Sequence, residues 1–232
     1  MDVTNRTALV TGAAIGTGRA IALALAAAGA RVVVTDIDAE GGHETVHCVP
    51  SGRCHFRRLD MTDPADITEA IAAEQPQILV NNAGGGGHIP PHYPEASAAA
   101  WRALIDLNLI GPMHATQQAL APMRAAGGGT VVNVASTAGL GRARYASPEY
   151  GAAKAGLIRF TTALANVAGV RVNCVVPDWV ATERLSPADR SADPPPVPLE
   201  AVAAATLRLV RDDTLAGRVL VLGRGSAPRL LD

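Results

Sequence analysis

The chain has 232 residues, of which 48% are hydrophobic and only 3% aromatic, and its formal net charge is −1. A near-neutral chain without a Lys/Arg run argues against a nucleic-acid-binding surface, and no apolar run approaches the roughly 18 residues that a membrane span needs. The length predicts a single domain over 1–232.

Short apolar runs alternate with helical segments along the chain, which is the pattern of β-α-β units. Strands are predicted at 6–11, 31–35, 54–59, 78–81, 130–135, 170–176 and 218–222, and helices at 16–28, 39–47, 65–74, 98–124, 148–167 and 199–211. The predicted fold class is α/β, a doubly wound, Rossmann-like parallel sheet in three α/β/α layers. The Pro-rich stretch 193–198 lacks such a pattern, and we expect 183–198 to act as a substrate lid.

A glycine-rich turn, 11–18, follows the first predicted strand and runs into an Ala-rich helix. Gly12, Gly16 and Gly18 permit a tight turn and let backbone amides approach a pyrophosphate at the positive end of the helix. The spacing is G-x-x-x-G-x-G rather than the commoner G-x-G-x-x-G, so the turn alone is weak evidence for a dinucleotide site.

The carboxylate of Asp36 ends the second predicted strand, 18 residues after Gly18. It can accept hydrogen bonds from both ribose hydroxyls of an adenosine and would repel a 2′-phosphate. No Lys or Arg stands at Ile15 or Ile37 to accept such a phosphate, so NAD is favoured over NADP. The alternative is an ordinary acidic residue at a helix entry.

Tyr150 and Lys154 stand one helical turn apart, behind Ser147, a good N-cap residue. A free tyrosine has a pKa of about 10, and a positive charge about 4 Å away is worth roughly 4 kcal/mol at an effective dielectric near 20, or about three pKa units before desolvation. A phenol tuned in this way can act as a general acid–base near neutral pH. Tyr145 has Glu149 at the same spacing, which would raise its pKa. A bare Tyr-x-x-x-Lys also arises by chance, with the tyrosine packed on a surface.

With these motifs in order, the chain resembles the single-domain short-chain dehydrogenase/reductase family across nearly its whole length. The matching features are the glycine turn, Asp60 after the third strand, Asn-Asn-Ala-Gly at 81–84, Asn-Val-Ala-Ser at 133–136, Tyr150-x-x-x-Lys154, the strand 171–177 and Thr182.

The resemblance implies a role for each of four polar residues. Tyr150 would be the general acid–base, and Ser136 would hydrogen-bond the substrate oxygen. Lys154 would bind the nicotinamide ribose and lower the pKa of the tyrosine, while Asn108 would hold a water that relays protons. Outside the family, Ser136 is as well explained as a turn residue and Asn108 as a buried polar residue.

The resemblance also implies the cofactor, its contacts and the assembly. The residues implied to contact NAD are Gly12, Ile15, Gly16, Gly18, Asp36, Ile37, Asp60, Met61, Asn82, Ala83, Gly84, Tyr150, Lys154, Pro177, Val180 and Thr182. We expect hydride transfer between NAD(H) and a small-molecule alcohol or carbonyl compound. We also expect a homo-oligomer, a tetramer or dimer, with the two long helices at an interface.

Two other functions fit the same fold. A regulatory or scaffolding protein could bind NAD without turnover, but the complete set Asn108, Ser136, Tyr150 and Lys154 argues against it. An epimerase that uses NAD transiently usually carries a further substrate domain, for which 232 residues leave little room.

Several residues depart from the family pattern or add to it. Thr17 replaces an aliphatic residue, and Asp178 replaces the glycine after Pro177 and brings a charge near the carboxamide pocket. Pro112 interrupts the predicted helix 98–124, and its missing amide is expected to leave the carbonyl of Asn108 free for the relay water, the alternative being a tolerated kink. Pocket candidates, each equally explained as a surface or packing residue, are His88, Leu140, Arg142, Tyr145, Trp179 and Arg184.

The amino-terminal segment and the cysteines bear on the compartment. The first thirty residues lack a signal-peptide pattern, and the three cysteines lack a C-x-x-C spacing, so we expect a cytoplasmic protein. A cluster of candidate zinc ligands matches no familiar spacing, so no metal site is expected. Its members are His43, His47, Cys48, Cys54 and His55.

Overall fold

The structure is a computed structural model that describes residues 1–49, 52–141, 146–183, 185 and 187–231. Within these residues one sheet runs in the order β3-β2-β1-β4-β5-β6-β7-β8, parallel except for β8, which pairs antiparallel with β7. The strands are β1 (Thr7–Thr11), β2 (Arg31–Asp36), β3 (Cys54–Arg58), β4 (Ile78–Asn81), β5 (Gly129–Val134), β6 (Val170–Pro177), β7 (Val219–Leu222) and β8 (Arg229–Leu230). The predicted α/β class with a doubly wound parallel sheet is confirmed.

Helices cover both faces of the sheet. They are α1 (Gly16–Ala27), α2 (Ala39–His47), α3 (Pro64–Glu74), α4 (Ala98–Ile105), α5 (Gly111–Ala125), α6 (Pro148–Ala163), α7 (Pro187–Arg190) and α8 (Leu199–Arg211). Alternate residues of β1 enter opposite cores: Val10 packs with the α1 and α8 side, and Leu9 with the α3 and α5 side. Burial on both faces explains why the central strands read as continuous apolar runs.

The strand order places a crevice at one edge of the sheet. β1 pairs with β2 on one side and with β4 on the other, so the connections leave β1 in opposite directions there. In open parallel sheets ligands bind outside the carboxyl ends of the strands at such a switch point. The predicted motifs begin at or after the carboxyl ends of β1 to β6.

The predicted helix 98–124 is not one uniform α-helix. A π-helical turn, Asp106–Ile110, separates α4 from α5, and the amide of Gly111 donates to the carbonyl of Asp106 across it. A π-turn accommodates Pro112, which supplies no amide and crowds the carbonyl four residues earlier. The prediction that Pro112 interrupts the helix is right in position, but the interruption is a widened turn rather than an end.

Smaller differences lie at the ends of elements. The predicted helix 148–167 ends earlier, at Ala163, because i→i+3 bonds from Leu164 and Ala165 tighten the chain into turns. Ser147 stands at the N-cap position of α6, yet its hydroxyl makes no capping bond. Both α7 and β8 were missed, since each has four residues or fewer. No helix in the described part of the chain is long and apolar enough to cross a membrane.

Candidate active site

The glycine turn between β1 and α1 depends on missing side chains. Gly12 and Gly16 have φ values of 65° and 56°, a region that residues with a Cβ rarely adopt. A Cβ at Gly12 would also lie 2.7 Å from the Cα of Ala83, and one at Gly18 would overlap the carbonyl oxygen of Gly12. The turn is therefore compressed against the end of β4.

Asn82 holds that compressed arrangement. Its side-chain amide donates to the carbonyl oxygens of Thr11 and Gly12, at 2.9 Å each. In return, the hydroxyl of Thr11 accepts the backbone amides of Asn82 and Ala83, at 3.0 and 2.9 Å. The predicted contact residues Gly12, Asn82 and Ala83 thus lie together and lock the first turn to the central strand.

Asp36 lies at the carboxyl end of β2, beside the glycine turn. Its carboxylate accepts the amide of Ala14 at 3.0 Å and that of Asp38 at 3.1 Å. A carboxylate has about four lone-pair sites, so two bonds leave capacity for a ribose. The neighbouring Ile37 is exposed, as a residue facing a bound group would be.

Arg19 is a basic residue near this carboxylate that the sequence prediction overlooked. Its guanidinium donates to the carbonyls of Ala14 and Gly41, to Thr45 and to Glu44, with which it forms an ion pair at 3.0 Å. Because Arg19 is bound by this set of oxygens, it bridges the glycine turn to α2. Its position directly after Gly18 was the sequence signal that could have found it.

Asp60 follows β3 and orders its own turn. Its carboxylate accepts the hydroxyl of Thr62 at 2.7 Å and the amide of Thr62 at 2.8 Å, and these bonds lower the pKa of Asp60 below its ordinary value. The adjacent Met61 is buried, and its carbonyl oxygen lies against Gly111, so close that a Cβ there would overlap it. The third strand is thereby tied to the start of α5.

Asn108 lies in the π-helical turn and is fully buried. Its amide oxygen accepts the backbone amide of Gly85 at 3.0 Å, while its amide nitrogen donates to the carbonyls of Gly85 and Leu104 at 3.0 and 2.9 Å. Both hydrogens of the side-chain amide are thus used by Gly85 and Leu104, and we expect the relay water on the backbone carbonyl of Asn108.

Lys154 lies beside Asn108, with Gly84 between them. A Cβ on Gly84 would be 2.6 Å from the amide oxygen of Asn108 and 3.1 Å from Lys154 Nζ. Lys154 Nζ donates to the carbonyl of Val134 at 3.1 Å and is 5.6 Å from the centroid of the Tyr150 ring. The predicted Tyr150–Lys154 neighbourhood is present in the structure.

Burial changes the acidity of Lys154. Lys154 is only 3% exposed, and the loss of water lowers its pKa from 10.5 to about 8. The ammonium is therefore still mostly protonated at neutral pH. Lys154 is also the only lysine of the chain, because the other 19 of its 20 Lys and Arg residues are arginine. That count was a sequence signal for a position needing a base with an adjustable pKa.

Ser136 leads into a 3₁₀ turn, Thr137–Gly139, that packs against α6. The serine hydroxyl accepts the amide of Ala138 at 3.2 Å, which leaves its hydrogen available for donation. A Cβ at Gly139 would be 2.6 Å from the backbone of Lys154 and Ala155. The turn carrying Ser136 therefore rests directly on the helix that carries Tyr150 and Lys154.

The loop after β4 covers the other side of Tyr150. A Cβ at Gly87 would lie 2.7 Å from the ring of Tyr150. Further along, the buried carboxylate of Glu149 accepts the amide of Tyr93 at 3.3 Å and pairs with His92 at 3.2 Å. Burial alone would raise the pKa of Glu149, but the amides of Glu149 and Tyr93 lead the bonds that hold it below its ordinary value. The sequence analysis did not predict that Glu149 holds this loop through His92 and Tyr93.

A buried amide chain links the central strands to α5 and α6. Asn81 donates to Asn133 at 2.8 Å, to Thr116 at 3.1 Å and to the carbonyl of Pro112 at 3.3 Å. Asn133 in turn donates to Thr161 at 2.9 Å. The first asparagine of each of two predicted motifs thus positions helices rather than meeting the crevice.

The carboxyl end of β6 brings the remaining predicted residues to the glycine turn. Pro177 ends β6, and Val180 forms a short parallel bridge with Val197. The methyl group of Thr182 would lie 3.3 Å from a Cβ on Gly16. Of the pocket candidates, His88 and Trp179 are exposed and Leu140 is partly buried, while Arg142, Tyr145 and Arg184 lie outside the described residues.

Comparison with known proteins places this geometry among relatives. Residues 6–192 match the family model described as short chain dehydrogenase. Cis-4-hydroxycyclohexanecarboxylate dehydrogenase of Sinomonas cyclohexanicum is 39% identical over 197 residues, 79% of this chain and 78% of its own. D-beta-hydroxybutyrate dehydrogenase of Cupriavidus necator is 38% identical over 189 residues, 76% of this chain and 71% of its own. A solved short-chain type dehydrogenase/reductase from Mycobacterium ulcerans has a TM-score of 0.88 at 26% identity, covering 99% of this chain and 94% of its own.

Proposed function

The chain belongs to the short-chain dehydrogenase/reductase family, and on that premise we propose that it is an NAD-dependent alcohol–carbonyl oxidoreductase in which Tyr150 transfers the proton of the substrate oxygen. The oxidoreductase prediction is confirmed by the family and by relatives named as dehydrogenases, which support it over the regulatory or scaffolding alternative. Family membership likewise implies a nicotinamide cofactor and a small-molecule alcohol or carbonyl substrate.

The crevice fits a dinucleotide. The turn at the start of α1 exposes its backbone because Gly12, Gly16 and Gly18 carry no side chains. The backbone amides and the helix dipole there favour the binding of a diphosphate. Asp36 would hold the adenosine ribose, Lys154 the nicotinamide ribose, and Thr182 the carboxamide. We propose that the remaining residues of the predicted contact set line the same edge of the sheet. When bound, the nicotinamide supplies the hydride acceptor for an alcohol or the hydride donor for a carbonyl.

The contact that carries the proposal is the approach of Lys154 Nζ to the Tyr150 ring, 5.6 Å from its centroid. A buried ammonium beside a phenol favours the phenolate, so Tyr150 can take the proton of an alcohol or return it to a carbonyl oxygen. Because burial lowers the pKa of Lys154 to about 8, this assistance is present below pH 8 and is lost as the pH rises through that value.

Two further residues complete the proposed chemistry. Ser136, which accepts an amide and retains its hydrogen, donates to the substrate oxygen and holds it near the phenol. Asn108, whose side chain is committed to Gly85 and Leu104, relays protons through a water on its backbone carbonyl towards Lys154. The donation from Ser136 stabilises charge that develops on the substrate oxygen, and the relay carries the transferred proton.

The choice of NAD over NADP is supported by the charges around Asp36. A 2′-phosphate would meet the carboxylate of Asp36, and Arg19 is occupied by Glu44 and by carbonyl oxygens. A phosphate would have to break that ion pair to gain a partner. We therefore assign NAD as the preferred cofactor.

The assembly we propose is a homodimer or homotetramer through α5 and α6. An apolar groove runs between these helices, lined by Ile110, Met113, Leu120, Phe160 and Leu164. Ile110 is 47% exposed and Met113 37% exposed, although both are large apolar residues. A second copy would bury them. We further propose that residues 1–232 form one domain and that the segment 183–198 acts as a lid over the substrate. We also propose that the protein is cytoplasmic.

The test is a screen of secondary alcohols and their ketones with NAD and NADH, followed by nicotinamide absorbance. On any substrate found, Tyr150→Phe should lower turnover on the order of a hundredfold or more, because it removes the proton-transferring hydroxyl and keeps the ring. Its affinity for NADH should stay within about twofold, since the ring still packs against Gly87.

Tyr93→Phe is the matched control, because it deletes the same atom from an exposed ring and should leave turnover unchanged. Full turnover by a well-folded Tyr150→Phe variant would exclude the proposed mechanism. NADH binding without turnover of any alcohol or carbonyl compound would restore the regulatory alternative.

A further inference from the structure

Asp178, at a position where the family resemblance predicts glycine, makes several contacts at the end of β6. One carboxylate oxygen accepts the hydroxyl of Thr137 at 3.2 Å and the amide of Trp179 at 2.9 Å. The other faces Nε of Arg224 at 3.4 Å. Asp178 therefore joins the β6 end to the turn after β5 and to the loop after β7.

The positive guanidinium of Arg224 compensates the negative charge of the Asp178 carboxylate. It lies 5.3 Å from the centroid of the exposed Trp179 ring and also donates to the carbonyl of Pro194 at 3.4 Å. Both charged side chains are 28% exposed, so the ion pair itself adds little stability. The pair is neutral as a whole, which argues against a role in capturing an anionic substrate and favours a role in holding neighbouring segments.

The contact with Thr137 lies beyond the point where the two strands stop pairing. The ladder between β5 and β6 ends at Val134 and Val175, and the amide of Ala135 makes one more bond, to Val175, at 2.9 Å. The bond from Thr137 to Asp178 therefore continues the connection between the strands through side chains, across the position of Ser136.

On its opposite side the same turn meets α6. Gly139 touches the backbone of Lys154 and Ala155, and a Cβ at Gly151 would lie 3.2 Å from the carbonyl oxygen of Ala138. The turn is thus clamped between the helix that carries Tyr150 and the carboxylate of Asp178. Loss of either side would let Ser136 move relative to the phenol.

We propose that Asp178 is a positioning residue that holds Ser136 in register with Tyr150 by binding Thr137, with Arg224 orienting and neutralising the carboxylate. The inference rests on the proposed function for its effect on catalysis. The physical contact itself does not. A misplacement of about 1 Å at a reacting group can cost as much as a hundredfold in rate, so a single hydrogen bond that prevents it is sufficient.

The test compares Thr137→Val, which removes the hydroxyl at constant shape, with Thr137→Ser, which keeps it. Thr137→Val and Asp178→Ala should each lower kcat about tenfold with little change in the dissociation constant of NADH, because the serine is displaced and the glycine turn is not. The double variant should be no slower than the slower single variant, since the bond between Thr137 and Asp178 is already lost in each single variant. Thr137→Ser should stay near the unmodified enzyme.

Hydrogen exchange provides a readout that requires no substrate. The amides of residues 138–140 should exchange faster in Thr137→Val and in Asp178→Ala than in the unmodified protein or in Thr137→Ser. Unchanged exchange rates in both variants would show that the bond between Thr137 and Asp178 does not hold the turn. Rate losses that multiply in the double variant, or faster exchange with an unchanged kcat, would overturn the positioning role. Absence of turnover in the unmodified protein would count against the proposed function alone, and the exchange data would still decide the contact.

Discussion

The two halves of the parallel sheet position their polar side chains in opposite ways. In the first half, the carboxylate of Asp36 is partly exposed and takes its hydrogen bonds from Ala14 and Asp38, at most 22 residues away. In the second half, Asn81 is buried and donates to Asn133, 52 residues away. The first half is a surface built by one glycine turn, and the second is a buried network assembled across strands and helices.

This difference predicts which residues affect the affinity for the cofactor and which affect the reaction itself. A residue such as Asp36 can change without disturbing a core, so we expect cofactor preference to be adjustable at that position. The side chain of Asn108 bonds the backbone of Gly85 and Leu104, and that of Lys154 bonds the backbone of Val134, so a change at either residue alters both the site and its support. We therefore expect partly exposed side chains to tune cofactor binding and the buried network to set the geometry of the reaction.

The largest expected effect comes from the buried half. Lys154→Met keeps a flexible chain of similar length but removes the charge beside Tyr150 and the donor to Val134. Turnover should fall on the order of a hundredfold or more, and the dissociation constant of NADH should rise about tenfold, since one ammonium serves both the phenol and the ribose. Steady-state kinetics and NADH fluorescence titration measure the two quantities.

Tyr150→Phe is the comparison for that variant, because it should lose rate without losing affinity. If Lys154→Met retains the affinity of the unmodified protein for NADH, the ribose contact is wrong. Retained turnover would remove the lysine from the proposed proton transfer.

A smaller effect is expected in the exposed half. Asp36→Ala should weaken NAD binding about tenfold and narrow the gap to NADP, because it removes both the acceptor for the ribose and the repulsion of a 2′-phosphate. Calorimetry with both dinucleotides measures the gap, and Asp38→Ala, which removes the neighbouring helix cap, is its control. Tighter binding of NADP to the unmodified protein would refute the assignment of NAD.

A variant of Pro112 tests the proposed proton relay through Asn108, at the edge of the buried network. Pro112→Ala restores a backbone donor next to the π-helical turn and should stabilise the protein by about 1 kcal/mol or less while slowing turnover severalfold. The side-chain bonds to the Pro112 carbonyl are kept, so the network itself stays intact. A well-folded variant with unchanged turnover would reduce Pro112 to a structural kink.

The smallest expected effect is on the pH dependence of stability. The pKa of Lys154 is lowered to about 8 in the folded state from 10.5, so the unfolded state binds more protons between those values and the free energy of unfolding rises with pH above 8. Burial raises the pKa of Cys174 from 9.0 to about 12, so its contribution falls as the pH rises above 9 and offsets the gain.

The Lys154 contribution alone is therefore expected to rise by about 1 kcal/mol between pH 8 and 9, and Lys154→Met should abolish this contribution. Urea unfolding at several pH values measures this rise. Because the chain has a single lysine, carbon-13 labelling of lysine gives one side-chain signal whose midpoint should lie near pH 8. A midpoint near the ordinary value of 10.5 would contradict the burial argument.

Local sequence patterns were sufficient to predict most elements of the fold. Alternating apolar runs located β1 to β7, and the predicted bounds of β4, α2 and α8 agree with the structure. The π-helical turn was beyond such reasoning, because a proline reveals an interruption but not how the neighbouring turns absorb it. The short elements α7 and β8 carry too few residues for a periodic signal.

The sequence by itself determined the order of the motifs, and a parallel sheet brings the residues after each strand to one edge. It could not determine the contacts that hold them there, such as the bonds from Asn108 to Gly85, Arg19 to Glu44 and Thr137 to Asp178. Those pairs lie 23 to 41 residues apart and follow no period, so only the packing of strands and helices makes them neighbours. Spacing determines which side chains reach the crevice, whereas burial determines how firmly they are held and how readily Lys154 gives up its proton.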